Sequence, residues 1–240
     1  MEIDFKNKFL SLYQKYFNDS PLPIVFYYSD GEMNVELSKP KSYNCLIGAL
    51  SEVRDGKSLR FDRQAITCGG GNRFLGFSQE LRPNFEQFLS GVERYKKSPE
   101  LVREMMKSSS GFVAPKNFIV FKRWDRLEEL DQPEVVIFFA TPDVVSGLFT
   151  LANYDEETNA VATPTGSGCS SIILNPYLET QAQHPRCVLG MFDVSARPFV
   201  PKDQLTFAVP FTKFVSMVDN MESSFLTTKT WKKVQERIKP

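Results

Sequence analysis

The chain is short of most residues that announce a chemistry. It holds one histidine, His184, set between Gln183 and Pro185 in a polar stretch. A catalytic thiol in need of an imidazole base has only this one, and its surroundings read as an exposed loop. The four cysteines, Cys45, Cys68, Cys169 and Cys187, lie far apart, with no C-x2-C pair of the kind that marks a zinc site. Lys plus Arg and Asp plus Glu balance at 29 each, so no global field draws nucleic acid and no nucleic-acid partner is expected. Long apolar runs are missing too. The longest, Val135–Ala140, is far short of the roughly 20 residues that cross a bilayer. Met1–Lys8 is charged from its second residue and has no apolar stretch of the signal-peptide type. No membrane partner is expected, and a cytoplasmic protein with reduced cysteines is the default. There is no internal repeat, no low-complexity linker, no G-x-G-x-x-G after a strand and no P-loop.

What is present is core material and local punctuation. With 240 residues, 21 of them Phe, the chain can bury a full core without a disulfide or metal staple. A single compact domain over residues 1–240 is expected, with a helical subregion at 80–110. Phe5, Phe9, Leu12, Tyr13, Tyr16 and Phe17 recur at helical spacing over 4–17. Ile24–Tyr28 reads as a short strand. Cys45, Leu46, Ala49, Leu50 and Val53 predict a helix over 42–55 with Cys45 on its apolar side, ended by Gly56. Helices follow at 84–96 and 99–108, then strands at 118–121 and 135–140. The second is apolar throughout, as in a strand covered on both faces and central in its sheet.

The clearest local signal comes next, with Thr141 at an N-cap, Pro142 at the first helical position and Asp143 in the first turn of a helix over 142–153. Strand 134–140, this helix and a strand at 159–164 predict a βαβ unit. A helix at 169–175 is expected to stop at Pro176. Strands at 186–192 and 204–209 and helices at 211–221 and 228–238 complete the reading. The fold class is α/β or α+β, a mixed central sheet flanked by helices, with a helix-richer N-terminal part.

Two glycine-flanked cysteines stand out, Cys68 before Gly69-Gly70-Gly71-Asn72-Arg73 and Cys169 between Gly168 and Ser170. Each adjoins a predicted helix start, where the peptide dipoles favour thiolate over thiol. Such thiols suit a metal ligand, a nucleophile or an anion pocket. The glycine backbones could cradle an anionic cofactor or small molecule, with Arg73 and Arg197 as countercharges. The carboxylates Asp143, Asp193 and Glu179 offer bases, although single carboxylates at such positions usually cap or stay solvated. Trp124 among Lys122, Arg123 and Arg126 offers a stacking surface or an ordinary amphipathic edge.

Several segments taken in order carry a family resemblance: Cys45–Leu50, Cys68–Gly71 with Phe74–Phe77, Pro133–Ile137, Gly168-Cys169 with Asn175–Tyr177, Ser195–Arg197 and Phe207–Pro210. Over residues 20–225 the chain resembles an uncharacterised archaeal and bacterial family, domain of unknown function number 169, found in many anaerobes. The resemblance implies cysteines at the positions of Cys45, Cys68 and Cys169. In many members another precedes the arginine matching Arg197, where this chain has Met191 or a displaced Cys187. Recurrent thiols in anaerobes imply an iron–sulfur cluster or other thiolate-bound metal on Cys45, Cys68 and Cys169. The expected function is therefore a metal- or cofactor-binding domain with a cysteine- and glycine-lined pocket. A thiol-dependent enzyme acting on a small anionic substrate, and a structural or partner-binding protein with inert core cysteines, are the alternatives.

Overall fold

A computed structural model describes residues 1–31, 35–37, 45–107 and 111–238. In chain order these form α1 (Ile3–Phe17), β1 (Ile24–Ser29), β2 (Glu36–Leu37), α2 (Leu46–Arg54), β3 (Leu59–Phe61), α3 (Gly69–Phe74), α4 (Phe85–Gln87) and α5 (Pro99–Lys107). Then come β4 (Phe118–Arg123), β5 (Val135–Ala140), α6 (Pro142–Ala152), β6 (Val161–Ala162), α7 (Asn175–Glu179), β7 (Cys187–Gly190), β8 (Leu205–Pro210), α8 (Phe211–Asn220) and α9 (Lys229–Gln235). The strands make one mixed sheet of order β2-β3-β4-β1-β5-β8-β7-β6. Pairing is antiparallel through the middle and parallel at each end, where β2 meets β3 and β6 meets β7.

The apolar run of β5 does what its composition requires. It pairs with β1 on one side, Ile24 opposite Ile137, and with β8 on the other, Val136 opposite Val209. All six of its residues are buried. Successive side chains point to opposite faces, so β5 feeds two separate cores. Val135, Ile137 and Phe139 join Ile24, Phe26 and Phe121 beneath α2, α3 and the segment Cys169–Tyr177. Val136, Phe138 and Ala140 join Val25, Phe207 and Val209 beneath α1, α6, α8 and Trp231. The second core is densely aromatic, with Phe9 4.8 Å from Trp124 and 4.9 Å from Phe214.

Several expectations change. The βαβ reading survives only in part, because β5 and β6 are separated in the sheet by β8 and β7. Between Phe85 and Lys96 the helix is short, a turn of α4 running into a π-helical turn at Phe88–Val92, since no residue there is buried enough to hold a longer one. Pro176 does not stop its helix. A π-helical turn at Ser170–Leu174 leads directly into α7, and Pro176 sits in the first turn of α7, where a missing N–H costs little. Thr141 is at the N-cap of α6 as expected, but its hydroxyl makes no capping bond. Trp124 is no platform. It is fully buried, its indole N–H donates to the Lys6 carbonyl at 3.2 Å, and the neighbouring Lys122 ammonium pairs with buried Asp131 at 2.9 Å. Among the described residues no helix is long and apolar enough to cross a membrane.

Helix α6 is clamped to α1 and α9 at Gly147. A Cβ there would run into the Trp231 ring and lie 2.8 Å from the Phe17 ring. Alanine gains up to about 1 kcal/mol in helix propensity, but overpacking costs about 1–3 kcal/mol. Gly147→Ala is therefore expected to lower the urea unfolding midpoint. An unchanged or raised midpoint would show that the two rings yield freely.

Candidate functional site

Three of the four cysteines stand where helical segments begin on the same face of the sheet. Cys45 is the N-cap of α2 and Cys68 the N-cap of α3, both with extended backbone, and Cys169 directly precedes the π-helical turn. Each N-cap carbonyl accepts the first helical bond, Cys45 from Ala49 N–H and Cys68 from Asn72 N–H, both at 3.0 Å. Neither thiol caps a backbone N–H, as expected of so weak an acceptor. The helix expected from residue 42 starts instead at Leu46, and residues 42–44 lie outside the described residues. Cys45 is therefore at the mouth of the helix, half-buried, rather than on its inward face.

The absence of side chains at Gly71 and Gly168 lets Ile66 and Ala196 pack directly on these two helix starts. A Cβ on Gly71 would lie 2.7 Å from Ile66 Cγ2, and one on Gly168 would lie 2.9 Å from Ala196 Cβ and 3.2 Å from Met191 Sδ. Cys169 is buried in the core that Cys45 and Cys68 pack against. Negative charge on Cys68, Cys45 or Asp193 would add to the burial that disfavours a Cys169 thiolate, and negative charge on Cys68 or Asp193 would do the same at Cys45.

Burial overrides the helix dipole at this cluster. Desolvation pushes the Cys45 thiol above its ordinary range, even though the N–H groups of Gly48 and Ile47 pull the other way, and it pushes Cys169 much further. The thiolate bias expected from helix starts is thus reversed for these two residues. Cys187 is on the opposite face, fully buried in the aromatic core with its Sγ 4.0 Å from Met217 Sδ. The sheet lies between it and the other three, so it takes no part in their site.

The remaining candidates divide sharply. Arg73 is buried, and its guanidinium donates to the Gln79 and Met106 carbonyls at 3.0 and 3.3 Å. Arg197 donates to the carbonyls of Gln204, Pro201 and Lys202. Both expected countercharges are spent on backbone. Ser170 is buried and its hydroxyl accepts from the Asn175 amide at 2.8 Å, while Asn72 donates to the Ile66 carbonyl at 2.6 Å. Gly69 and Gly70 remain open, since a Cβ on Gly69 would meet nothing within 4 Å. Gly69 and Asn72 line a cleft of about 300 Å³ with Arg63, Ser78, Glu80, Leu81 and Arg82. Arg63 makes an exposed pair with Glu80 at 3.7 Å, and Arg82 lies over the Phe88 ring. These two arginines have no local sequence signal, because their convergence depends on the turn after α3.

Among the carboxylates, Asp193 acts as a brace. Its Oδ2 accepts from Gly168 N–H at 2.9 Å and its Oδ1 from the Ser195 N–H and hydroxyl. Asp143 pairs with Arg237 and Glu179 with Arg186, and His184 is exposed. Among the described residues no three His, Cys, Asp or Glu side chains are arranged to hold a metal ion as they stand.

The chain belongs to the family of domain of unknown function 169 (DUF169), described as an uncharacterised ArCR, which it matches over residues 16–220. No curated protein and no solved structure matches it.

Because Cys45, Cys169 and Cys187 are held protonated by burial, their contribution to stability is fully present below the ordinary thiol value of about 8.5 and is lost as pH rises above it. The metal-free protein is expected to lose urea resistance between about pH 8.5 and 10. At pH 7, Cys169 and Cys187 should resist iodoacetamide until denaturant is added. Rapid labelling of either in the native state, read by peptide mass, would contradict this account.

Proposed function

We propose that this chain binds a thiophilic metal centre through Cys45, Cys68 and Cys169. The feature that supports the reading is that Cys45, Cys68 and Cys169, carried by helix starts far apart in sequence, belong to or pack against one core on the same face of the sheet. Soft sulfur donors select soft ions or iron–sulfur chemistry. All four cysteines are free thiols, in keeping with a reducing compartment. The donor chemistry fits; the spacing has to tighten on binding. The element able to yield is α3, which opens on three successive glycines and carries the half-buried Cys68.

Binding must also displace protons. Ligation of Cys45 and Cys169 requires deprotonation against the burial that favours the thiol, so affinity is expected to rise steeply with pH. The cleft beside Gly69, with Arg63 and Arg82, provides room next to Cys68 for a small anionic ligand. A nucleophilic role for the thiols is less well supported, because Asp193 is already engaged in three hydrogen bonds and His184 is on the surface.

Serine in place of a ligand cysteine is a poor substitute for soft thiolate. Cys45→Ser, Cys68→Ser and Cys169→Ser should each abolish retention of metal in anaerobically prepared protein. Cys187→Ser should lower stability by about 1–3 kcal/mol through a buried hydroxyl and leave metal per folded chain unchanged. Full occupancy in any of the first three removes that residue from the site.

A further inference from the structure

The two arginines that border the cleft beside Gly69 differ in their partners from Arg73 and Arg197, whose guanidinium groups are spent on backbone carbonyls. Arg82 is exposed, and its guanidinium lies 3.3 Å from the centroid of the Phe88 ring. Among the described residues its N–H groups donate to no protein group. Stacking fixes the plane of the fork and leaves the donors on its edge to be used. Arg63 faces Glu80 at 3.7 Å, with both side chains largely in solvent. That distance is too long for a hydrogen bond, and such a pair contributes little.

The segments that carry these side chains are set by backbone hydrogen bonds. Asp62 Oδ1 accepts from the N–H groups of Gln64 and Ala65 at 2.9 and 2.8 Å, which braces the turn bearing Arg63. Along the segment leading to Arg82, the Asn72 carbonyl accepts from Phe77 N–H at 2.9 Å and from Ser78 N–H at 3.3 Å. Ser78 Oγ accepts from Glu80 N–H at 3.1 Å, so its own O–H remains to donate. Leu81 supplies an apolar side chain to the lining, and the volume of about 300 Å³ is at the lower end of small-molecule sites.

We infer that this cleft binds a small metabolite through an oxyanion, a carboxylate or phosphate group recognised by Arg63 and Arg82 with the Ser78 hydroxyl as a further donor. This gives a ligand class to the anionic-ligand part of the reading above and does not depend on the thiols. A guanidinium fork matches the paired oxygens of either group, and charge-assisted hydrogen bonds of this kind are about twice as strong as neutral ones. Glu80 is the internal competitor. Its carboxylate stands where it partly neutralises Arg63, and an incoming oxyanion has to displace an exposed pair at 3.7 Å, which costs little.

The test is calorimetric titration of the full chain at constant ionic strength with two probes, inorganic phosphate and succinate. Saturable one-to-one binding of at least one is expected, and the tighter of the two tells a phosphoryl ligand from a carboxylate one. Arg63→Ala and Arg82→Ala, both changes at exposed positions, should each weaken the preferred probe roughly tenfold or more. Arg82→Lys keeps the charge and loses the planar fork, so it should weaken binding as well. Glu80→Gln removes the competing carboxylate and should tighten binding by about two- to fivefold. Metal retention, measured on the same preparations, should be the same in the arginine variants as in wild type, so the oxyanion site and the metal centre stand or fall separately. A wild type that binds neither probe overturns the site, as does either alanine variant that binds like wild type.

Discussion

The architecture depends on the double-sided burial of β5. A strand covered on both faces must be apolar at every position, and it must find strand partners on both edges to satisfy its backbone. β1 and β8 provide those partners. Once this three-strand centre exists, each face needs a roof, and the two roofs differ in kind. One is built of long amphipathic helices that bring rings, chiefly α1 and α8. The other is built of short helices whose first residues, rather than their midsections, meet over the sheet.

That difference locates the site. Helix midsections present side chains at a fixed spacing, whereas helix starts present a turn, a bare N–H and one side chain at variable angle. Gathering three such starts brings the segments that carry Cys45, Cys68 and Cys169 to one core without any local motif. It also exposes a competition between two electrostatic effects at one atom. The amides of a helix start favour the negative sulfur by an amount of order 1 kcal/mol. Removal from water opposes it by more, and at Cys45 both are present with burial the larger. At Cys45 and Cys169 burial therefore favours the neutral thiol over the thiolate.

The sequence made some of this legible and hid the rest for identifiable reasons. The position of β5 follows from its composition, and α6 from Thr141, Pro142 and Asp143, because both signals are local. The face of α1 was readable from its aromatic period. That Cys68 and Cys169 belong to one side of the fold was expected from their matching glycine-flanked loops, and Cys45 was added by resemblance, since contacts between distant segments leave no trace in spacing. Arg73 and Arg197 looked like countercharges because a guanidinium looks the same whether it faces a ligand or a carbonyl. Pro176 misled because a π-helical turn absorbs a proline that an α-helix interior would reject. Met191 was marked by the resemblance alone, as a departure from cysteine, and nothing in its residue type announces the positive φ of its backbone.

The ends of the sheet carry a consequence of their own. β6, at one margin, is only two residues long and runs parallel to β7, with the exposed turn at Glu157–Asn159 just ahead of it. A foreign strand arriving at that border would find a ladder of very few rungs, too short to nucleate sheet growth. Any other molecule that recognises this side of the protein has to read side chains instead of backbone.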